Sequence, residues 1–336
     1  MKRIGNLYSK IISIENLQLA DNNARKGKIK SYGVRRHDRN RDKNILNLHC
    51  VLKNKTLRNS KYDTFKIYEP KERTIFRLPY YPDRIVHHAI MNVLEPIWMR
   101  VFTRDTYSCI KNRGIHAAAR SLKEALKRDA LGTKYCLKMD IRKFYPSIDH
   151  DILKSIVRRK VKDKELLWLL DEIIDSAGGV PIGNYLSQYF ANLYLAYFDH
   201  WLKEEKGAKY YWRYADDMVI LSDSKEYLHS LFGNINEYLN KNLKLVIKDN
   251  YQIFPTDSRG IDFLGYVFYH THTKLRKSIK KNMFRKLNRL NKRKIKPPKD
   301  EYVRSLASWY GWCKHCDSKT LLNKLFKSIN YDIRFN

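Results

Sequence analysis

Thirteen consecutive residues, Tyr210 to Ser222, constrain the fold of this chain more than any other stretch. Their sequence is YYWRYADDMVILS, in which two runs rich in aromatic and β-branched side chains flank a small residue and two adjacent acids. Such runs favour strands, and the interruption between them favours a tight turn. The sequence therefore predicts a β-hairpin with Asp216 and Asp217 at its tip.

Two adjacent carboxylates at a turn have two interpretations. A solvated Asp-Asp turn is common, because Asp is frequent in turns. If the fold instead places both carboxylates on a shared edge, their repulsion requires a compensating cation, and Mg²⁺ suits hard oxygen ligands. Asp140, which ends the strand-like run YCLKMD, favours the second interpretation. Two-metal phosphoryl or nucleotidyl transfer needs carboxylates from separate elements, and Asp140, Asp216 and Asp217 supply such a set.

The charge of the chain indicates a polyanionic partner. Its 336 residues include 67 Lys and Arg against 35 Asp and Glu, a formal net charge of +32. This excess is far larger than solubility requires. Residues 1–60 carry 15 basic and 4 acidic side chains, and residues 271–336 carry 19 and 4. Basic flanks around a nearly balanced centre suit a nucleic acid cleft better than a membrane surface, for which no basic amphipathic anchor stands out.

Targeting segments and cysteines exclude other classes of protein. No run of about 18 apolar residues occurs, and the amino terminus lacks an apolar segment followed by a cleavage site, so we expect a cytoplasmic protein with no membrane partner. Five cysteines, an odd number, argue against a disulfide framework. Cys313 and Cys316 have zinc-like spacing, but His270 and His272 are poor substitutes for a second pair, so a zinc site is disfavoured.

Several ordered motifs resemble those of reverse transcriptases, especially bacterial enzymes related to group II intron proteins. YADD at residues 214–217 follows an aspartate-to-tyrosine block at residues 140–145 and precedes FLGY at residues 263–266. Residues 66–79 and 83–102 are similar to two earlier blocks of the family. YADD alone has low specificity, whereas five blocks in the family's order over more than half of the chain are specific.

The resemblance implies an α+β fold of the right-hand polymerase type. Residues 1–134 would form an amino-terminal extension and fingers, residues 135–270 a palm with an antiparallel sheet and fingers-proximal helices, and residues 271–336 a helical thumb. The residues themselves predict a hairpin within Lys66 to Pro79, where apolar and basic side chains alternate, and three basic helices after Lys274.

Smaller predictions concern helix caps and a strand. Asp149 is expected to cap a helix at residues 150–160, and Asp300 to cap the second helix of the thumb. A short strand is predicted at residues 243–247.

The resemblance also implies roles for single residues around the catalytic centre. Two Mg²⁺ ions are expected, and a primer grip is expected in the FLGY block. The implied catalytic acids are Asp140, Asp216 and Asp217; the implied metal-binding residues are Asp140, Ile141, Asp216 and Asp217; the implied primer grip includes Leu264 and Gly265.

Nucleotide binding is predicted at Arg73, Arg77, Tyr145, Ile182 and Gln188. Arg73 fits the family's triphosphate-binding position best and Arg77 second, and a guanidinium fork suits phosphate oxygens. The alternative for either arginine is a surface salt bridge. Tyr145 matches the aromatic that lies under the nucleotide sugar and rejects a 2′-hydroxyl, which implies deoxynucleotides; its alternative is an ordinary core aromatic.

Residues 182–188 depart from the group II intron pattern. Ile182-Gly183 and Ser187-Gln188 stand where those enzymes have Gln-Gly and Ser-Pro. The pattern resembles reverse transcriptases of diversity-generating retroelements, which copy a template RNA with frequent errors at adenines into cDNA that replaces a variable gene segment. An isoleucine offers shape without a directional hydrogen bond, so losing about 1 to 3 kcal/mol of geometry-dependent stabilisation would relax discrimination.

The function implied by the resemblance is RNA-directed, adenine-mutagenic DNA synthesis. The implied partners are a template RNA, the RNA–cDNA duplex, dNTPs and a small basic accessory protein. One alternative is a reverse transcriptase of a group II intron, a retron or a CRISPR-linked system. The other is a non-catalytic RNA-binding protein on a polymerase scaffold, which the intact acids disfavour.

Overall fold

The computed structural model describes residues 3–68, 72–295 and 297–329. Helices dominate these ranges, and none of the described helices combines the length and apolarity needed to cross a membrane. The helices are α1 (Tyr8–Ile12), α2 (Ile14–Ala24), α3 (Tyr32–Asp38), α4 (Arg41–Lys53), α5 (Ile85–Met99), α6 (Ile115–Arg128), α7 (His150–Arg158), α8 (Lys164–Ile174), α9 (Tyr185–His200), α10 (Lys225–Leu243), α11 (Thr256–Arg259), α12 (Lys277–Asn291), α13 (Lys299–Cys313) and α14 (Lys319–Lys327).

The strands form three antiparallel sheets, with orders β1-β2, β4-β5-β3-β6 and β7-β8-β9. Together with the helices they confirm the predicted α+β class. The strands are β1 (Asp63–Ile67), β2 (Arg73–Arg77), β3 (Tyr135–Asp140), β4 (Tyr210–Tyr214), β5 (Asp217–Ser222), β6 (Gln252–Pro255), β7 (Ile261–Phe263), β8 (Tyr266–Phe268) and β9 (Thr273–Leu275).

Two compact units alternate along the sequence. The first unit comprises Met1–Cys109, Ile141–Gly207 and Asn234–Lys248, and the second comprises Ile110–Asp140, Ala208–Gly233 and Asp249–Asn336. The division into fingers, palm and thumb stays a prediction.

The first unit has a helical core around α5. Ile85, Ala89, Leu94 and Trp98 lie on opposite sides of the helix and are all fully buried, as expected for a core helix. The side-chain amide of Asn16, on α2, donates to the carbonyl oxygen of Ala89 at 3.0 Å and fixes the two helices against each other. Four helices, α1 to α4, precede β1.

A two-stranded hairpin projects from the same unit. β1 pairs with β2 in antiparallel register, from Asp63 opposite Arg77 to Ile67 opposite Arg73. The predicted hairpin is therefore confirmed, although residues 69–71 at its turn lie outside the described residues.

The second unit is built on the four-stranded sheet. Met218, Val219 and Ile220 in β5 are all fully buried, as expected for a central strand that is covered on both faces. β5 pairs with β4 on one side and, along its whole length, with β3 on the other. This pairing brings the end of β3 beside the start of β5.

A smaller sheet also belongs to the second unit, together with α6, α11 and the three carboxy-terminal helices. Leu264 and Gly265 connect β7 to β8 with φ of +50° and +88°, a left-handed turn of the kind that two-residue hairpins require. A Cβ on Gly265 would lie 2.5 Å from Cζ3 of Trp312, on α13. Gly265 is thus covered by an indole ring, which leaves no room for a side chain there. The three helices predicted after residue 274 are α12, α13 and α14.

Of the two predicted caps, one is confirmed. Oδ1 of Asp149 accepts a hydrogen bond from the backbone N–H of Ile152 at 3.0 Å and caps α7. The Asp300 cap is wrong, because α13 begins at Lys299 after Pro298. Asp300 lies inside the first turn, where a negative charge still favours the helix dipole.

The predicted strand at residues 243–247 is also wrong. α10 extends to Leu243, and the following segment forms a single β-bridge, between Ile247 and Ile141. Leu243, Leu245 and Ile247 are buried, whereas Val246 is exposed.

Candidate active site

The two acids of the YADD segment occupy different positions. Tyr214 ends β4, Asp217 begins β5, and the two are register partners. The turn therefore consists of Ala215 and Asp216, and Ala215 has φ of +54°, a conformation that a small residue tolerates better than a β-branched one. Asp216 lies at the tip as predicted, whereas Asp217 is the first residue of the returning strand.

Asp140, the last residue of β3, lies directly across from Asp217. The two are register partners in the antiparallel β3–β5 pair, and residues in such positions have Cβ atoms about 4.5 to 5.5 Å apart. Asp216 adjoins Asp217 in sequence. Three acids from two strands and one turn therefore meet at one end of the sheet.

Asp217 lies in surroundings that disfavour its charge. Its Oδ1 is buried and has no hydrogen-bond partner within the described ranges. Burial, and secondly repulsion from Asp140 and Asp216, raises the pKa of Asp217 to about 7 against the opposing attraction of Lys138 and Arg276. A buried carboxylate oxygen without a donor is destabilising.

The two cations near Asp217 are both bound by Asp262, one by its backbone and one by its carboxylate. The Lys138 ammonium donates to the carbonyl oxygen of Asp262, and Nε of Arg276 donates to Oδ1 of Asp262 at 2.6 Å. These bonds fix the cations at β7, so they offset only part of the charge at the end of β3 and β5. The three acids therefore keep a negative field that a further cation would balance.

The donor set suits a hard divalent ion. Within the described ranges, no three His, Cys, Asp or Glu side chains already form a group arranged to hold a metal. Asp140, Asp216 and Asp217 nevertheless offer the oxygen ligands that Mg²⁺ prefers, and the unpartnered Oδ1 of Asp217 is an available donor atom. Ile141 is fully buried in the first unit and bridges Ile247; its metal-binding role stays a prediction.

Tyr145 begins a short helical turn in the first unit. Its ring is half-buried, whereas the neighbouring Phe144 is 2% exposed, so Phe144 is the core member of the pair. The carbonyl oxygen of Tyr145 accepts from the N–H of Val180 at 2.9 Å. Gly179, with φ of +63°, permits this approach, because a Cβ there would lie 2.6 Å from the same oxygen.

The Ile182 segment is bound to the hairpin strand β2. The N–H of Phe76 donates to the carbonyl oxygen of Ile182 at 2.8 Å. Gly183 has φ of +121°, and a Cβ on it would collide with the carbonyl oxygen of Phe76. Because Val180 is bonded to Tyr145, backbone hydrogen bonds join three segments that are distant in sequence and carry four of the five predicted nucleotide-binding residues.

β2 contributes the two predicted arginines at its ends. Arg77 forms an ion pair with Asp63 across the hairpin, and its guanidinium lies 6.0 Å from the centroid of the Phe65 ring. Arg73 is exposed and forms no ion pair with any described residue. The surface salt bridge considered as an alternative thus describes Arg77, and Arg73 keeps its fork available for an anion.

The remaining predicted residues lie on separate elements. Gln188 is exposed in the first turn of α9. Leu264 is half-buried in the β7–β8 turn, and the carbonyl oxygen of Gly265 accepts from the N–H of Arg276 at 2.9 Å. Their contacts with nucleotide and primer stay predictions.

Sequence reasoning missed the Lys138–Asp262–Arg276 group. One signal was present, because Lys138 and Asp140 are two residues apart on a strand and therefore share a face. The contribution of Asp262 and Arg276 depends on long-range pairing and had no local signal.

A family model for reverse transcriptase (RNA-dependent DNA polymerase) matches residues 68–268. The match contains every residue predicted above for catalysis, metal binding, nucleotide binding and the primer grip.

Relatives with known names are similar at low identity. Protein YkfC of Escherichia coli (strain K12) is 26% identical over 249 residues, which cover 60% of this chain and 65% of YkfC. Group II intron-encoded protein LtrA of Lactococcus lactis subsp. cremoris is 25% identical over 140 residues, 38% of this chain and 23% of LtrA. The chain thus spans less than two thirds of either protein. Retron Ec73 reverse transcriptase of Escherichia coli is 27% identical over 286 residues, 78% of this chain and 86% of that enzyme.

Among solved structures, telomerase from Candida tropicalis in complex with a fragment of telomeric RNA is similar with a TM-score of 0.49 and 11% identity, over 82% of this chain and 56% of that one. The family match spans more than half of the chain and includes the ordered acids. The chain belongs to the reverse transcriptase family.

Proposed function

We propose that the chain is an RNA-directed DNA polymerase that makes error-prone cDNA, with errors at template adenines, for diversification of a target gene. The observation that most supports polymerisation is the meeting of Asp140, Asp216 and Asp217 at one end of a sheet, with a buried and unpartnered oxygen on Asp217. A purely structural cluster of acids would be expected to have its oxygens satisfied.

The three acids would hold two Mg²⁺ ions. When bound, the ions supply Lewis acidity at the primer 3′-hydroxyl and neutralise charge on the departing pyrophosphate. The protein's task is to keep the carboxylates in position, and β3 and β5 suit it because they are paired along their whole length and largely buried. Lys138 and Arg276 are bound to Asp262 and would stay near the three acids while the carboxylates bind the ions.

The nucleotide would be bound by the first unit's linked segments. Arg73 would hold the triphosphate through its guanidinium fork, and Tyr145 would lie under the sugar and exclude a 2′-hydroxyl. The bonds from Phe76 to Ile182 and from Val180 to Tyr145 make these segments one hydrogen-bonded assembly. A shift of the β1–β2 hairpin would therefore also move Ile182.

The diversity-generating type is supported by Ile182 and its surroundings. The carbonyl oxygen of Ile182 accepts from the N–H of Phe76, and we propose that the apolar side chain is the part of Ile182 that contacts a nucleotide. Such a contact selects shape and lacks the directional hydrogen bond that a glutamine would offer. Gln188 would contribute a polar contact from α9.

A second candidate is a reverse transcriptase of a group II intron, a retron or a CRISPR-linked system. The observation that favours it is the similarity to retron Ec73 reverse transcriptase over 86% of that enzyme, together with the match to LtrA. A non-catalytic RNA-binding protein is disfavoured by the three intact acids.

The proposed partners are a template RNA, the RNA–cDNA duplex, dNTPs and a small basic accessory protein. Residues Lys277, Lys280, Lys281 and Arg285 line one open pocket along α12, which suits a phosphate backbone. Leu264 and Gly265, which precede α12 in the sequence, would support the primer end. Contacts of this kind give affinity with little sequence preference and a steep dependence on salt.

Primer extension on a defined RNA template with dNTPs and Mg²⁺ tests the polymerase. Asp216→Ala and Asp140→Asn should each lower the rate by at least about a thousandfold, because each removes an oxygen ligand of the proposed ions. Asp223→Asn is the matched control, since Asp223 follows β5 and only accepts a hydrogen bond from Ser222 Oγ at 3.1 Å among the described contacts. Full-rate extension by Asp216→Ala would contradict the proposal.

Sequencing the cDNA tests the diversity-generating type. The wild-type chain should concentrate its errors at template adenines, and Ile182→Gln should lower them about fivefold or more, as a gain of about 1 kcal/mol in discrimination implies. Ile182→Val, which keeps an apolar side chain, should leave the spectrum unchanged. Uniform errors in the wild type would favour the second candidate and leave the polymerase assignment intact.

A further inference from the structure

We infer that four cations of the first unit, Arg3, Arg100, Lys160 and Lys162, form a binding site for the phosphodiester backbone of RNA. We call this site the amino-terminal basic pocket. The choice of RNA as ligand rests on the proposed function. None of the four residues has a proposed role in catalysis, metal binding or nucleotide binding.

The pocket is built from three segments, and the backbone holds two of them together. The N–H of Ile4 donates to the carbonyl oxygen of Lys160 at 2.7 Å, and the N–H of Lys162 donates to the carbonyl oxygen of Ile4 at 2.9 Å. Ile4 and Val161 form a parallel β-bridge, and Val161 is fully buried. This anchor places both lysines beside the amino-terminal segment that carries Arg3.

The four cations are not neutralised by neighbouring acids. None of them forms an ion pair within residues 3–68, 72–295 and 297–329. The acid next in sequence, Asp163, is already used, because Oδ2 accepts from the N–H groups of Leu7 and Tyr8 at 2.7 and 2.9 Å. Its Oδ1 accepts from the N–H of Leu166 at 3.2 Å and caps α8. Four like charges thus share one concave surface, an arrangement that an anionic ligand stabilises.

The shape of the pocket suits a chain of phosphates and sugars. Its volume is about 580 Å³, and Ile4 and Ile97 contribute an apolar floor between the cations. Gly5 leaves room for the stem of Lys162, since a Cβ on Gly5 would lie 3.2 Å from Lys162 Cε. Two guanidinium forks and two ammonium groups bind phosphate oxygens without reading bases, while ribose can lie on the apolar floor.

A membrane surface fits the pocket less well than RNA. None of the exposed large apolar side chains of the described residues lines the pocket, so nothing there would insert among lipid chains. The pocket would instead hold a part of the template RNA by its backbone, with weak sequence preference.

The test compares two variants that each remove two positive charges. Lys160→Gln/Lys162→Gln alters the pocket, and Lys10→Gln/Lys53→Gln is the control, because Lys10 and Lys53 are exposed on α1 and α4 and do not line it. Equilibrium binding of a fluorescent structured RNA is measured without dNTPs across a salt series. The pocket variant should bind more weakly, and the slope of log K against log salt should become shallower by about 1.4 to 1.8. The control should change the slope by less than about half that amount.

Two further measurements keep the result decisive. Extension of a short primer–template should stay within about twofold for the pocket variant, so a failure of the proposed polymerase function would appear separately, in Asp216→Ala. If thermal melting shows that the double variant is unfolded, Arg100→Gln replaces it, with an expected slope change of about 0.7 to 0.9. An unchanged slope, an equal loss in the control, or a loss of binding only to phosphatidylserine vesicles would overturn the inference.

Discussion

Asp21 in the first unit and Asp217 in the second both have buried carboxylate oxygens, yet their hydrogen-bond partners and neighbouring charges differ. Asp21 is fully buried and receives hydrogen bonds from Arg25 and Arg41 at 2.7 and 2.6 Å, and from the hydroxyl of Tyr80. Asp217 has a buried oxygen with no partner within the described ranges and two acids as neighbours.

The opposite surroundings move the two pKa values in opposite directions. Desolvation by burial raises the pKa of Asp21, but the His37 ring 3.6 Å away and hydrogen bonds from Tyr80, Arg25 and Arg41 outweigh it and lower the pKa far below its ordinary value. Burial and repulsion raise the pKa of Asp217 to about 7. Burial of an acid is therefore not itself a sign of function; the incomplete set of partners is what distinguishes the candidate site.

The largest expected difference between the two acids is in catalysis. Asp217→Asn should lower RNA-templated primer extension by about a thousandfold, because a neutral amide is a poor ligand for a divalent ion. Asp21→Asn, measured at a temperature where that variant remains folded, should stay within about threefold of the wild type. Equal losses of primer extension in both variants would show that the two acids do not differ in catalysis.

The second difference is in stability. Asp21→Asn should lower the free energy of unfolding by about 2 to 4 kcal/mol, because it removes a buried charge that pairs with Arg25 and Arg41. Guanidinium chloride unfolding provides the measurement. Asp38→Asn is the control: its carboxylate binds the same Arg25 at 2.9 Å but is 38% exposed, and the expected loss is below about 1 kcal/mol.

The pH dependence of stability sharpens the same contrast. The lowered pKa of Asp21 means that its contribution is complete above the unfolded-state value of about 3.9 and declines as pH falls toward the folded-state value. The stability difference between the wild type and Asp21→Asn should therefore be constant from about pH 5 to 7 and shrink below about pH 4. A difference that grew on acidification would have the wrong sign.

The smallest expected effect is a gain in stability at the candidate site. Without divalent ions at pH 8, where Asp217 is ionised, Asp217→Asn should raise the free energy of unfolding by about 1 kcal/mol, because it relieves repulsion from Asp140 and Asp216. Adding Mg²⁺ should stabilise the wild type more than the variant. A loss of stability under metal-free conditions would indicate that Asp217 has a partner beyond those described.

Much of the fold was predictable because its signals are local. The alternation of side chains predicted the β1–β2 hairpin, and the basic residues after Lys274 belong to the three predicted helices, α12, α13 and α14. The cap at Asp149 followed from its own side chain. The errors occurred where neighbouring residues decided the outcome. α13 begins at Lys299, directly after Pro298, so Asp300 lies inside the helix and does not cap it. The residues after α10 form a single β-bridge and no strand.

The candidate site divides in the same way. The order of Asp140, Asp216 and Asp217 was visible in the sequence, as was the need for a cation near adjacent acids. The bond between Phe76 and Ile182, the ion pair of Arg77 with Asp63 and the hold of Asp262 on Lys138 were not, because each joins segments far apart in the chain.

The sequence by itself determined which chemical groups are present and on which kind of element each one lies, because propensity and periodicity act over a few residues. Only the tertiary structure decided that Oδ1 of Asp217 has no hydrogen-bond partner within the described ranges while the Asp21 carboxylate accepts from Arg25, Arg41 and Tyr80, since the pairing of buried charges depends on which distant segments the core brings together. The same long-range packing left Arg3, Arg100, Lys160 and Lys162 in one pocket without an acid.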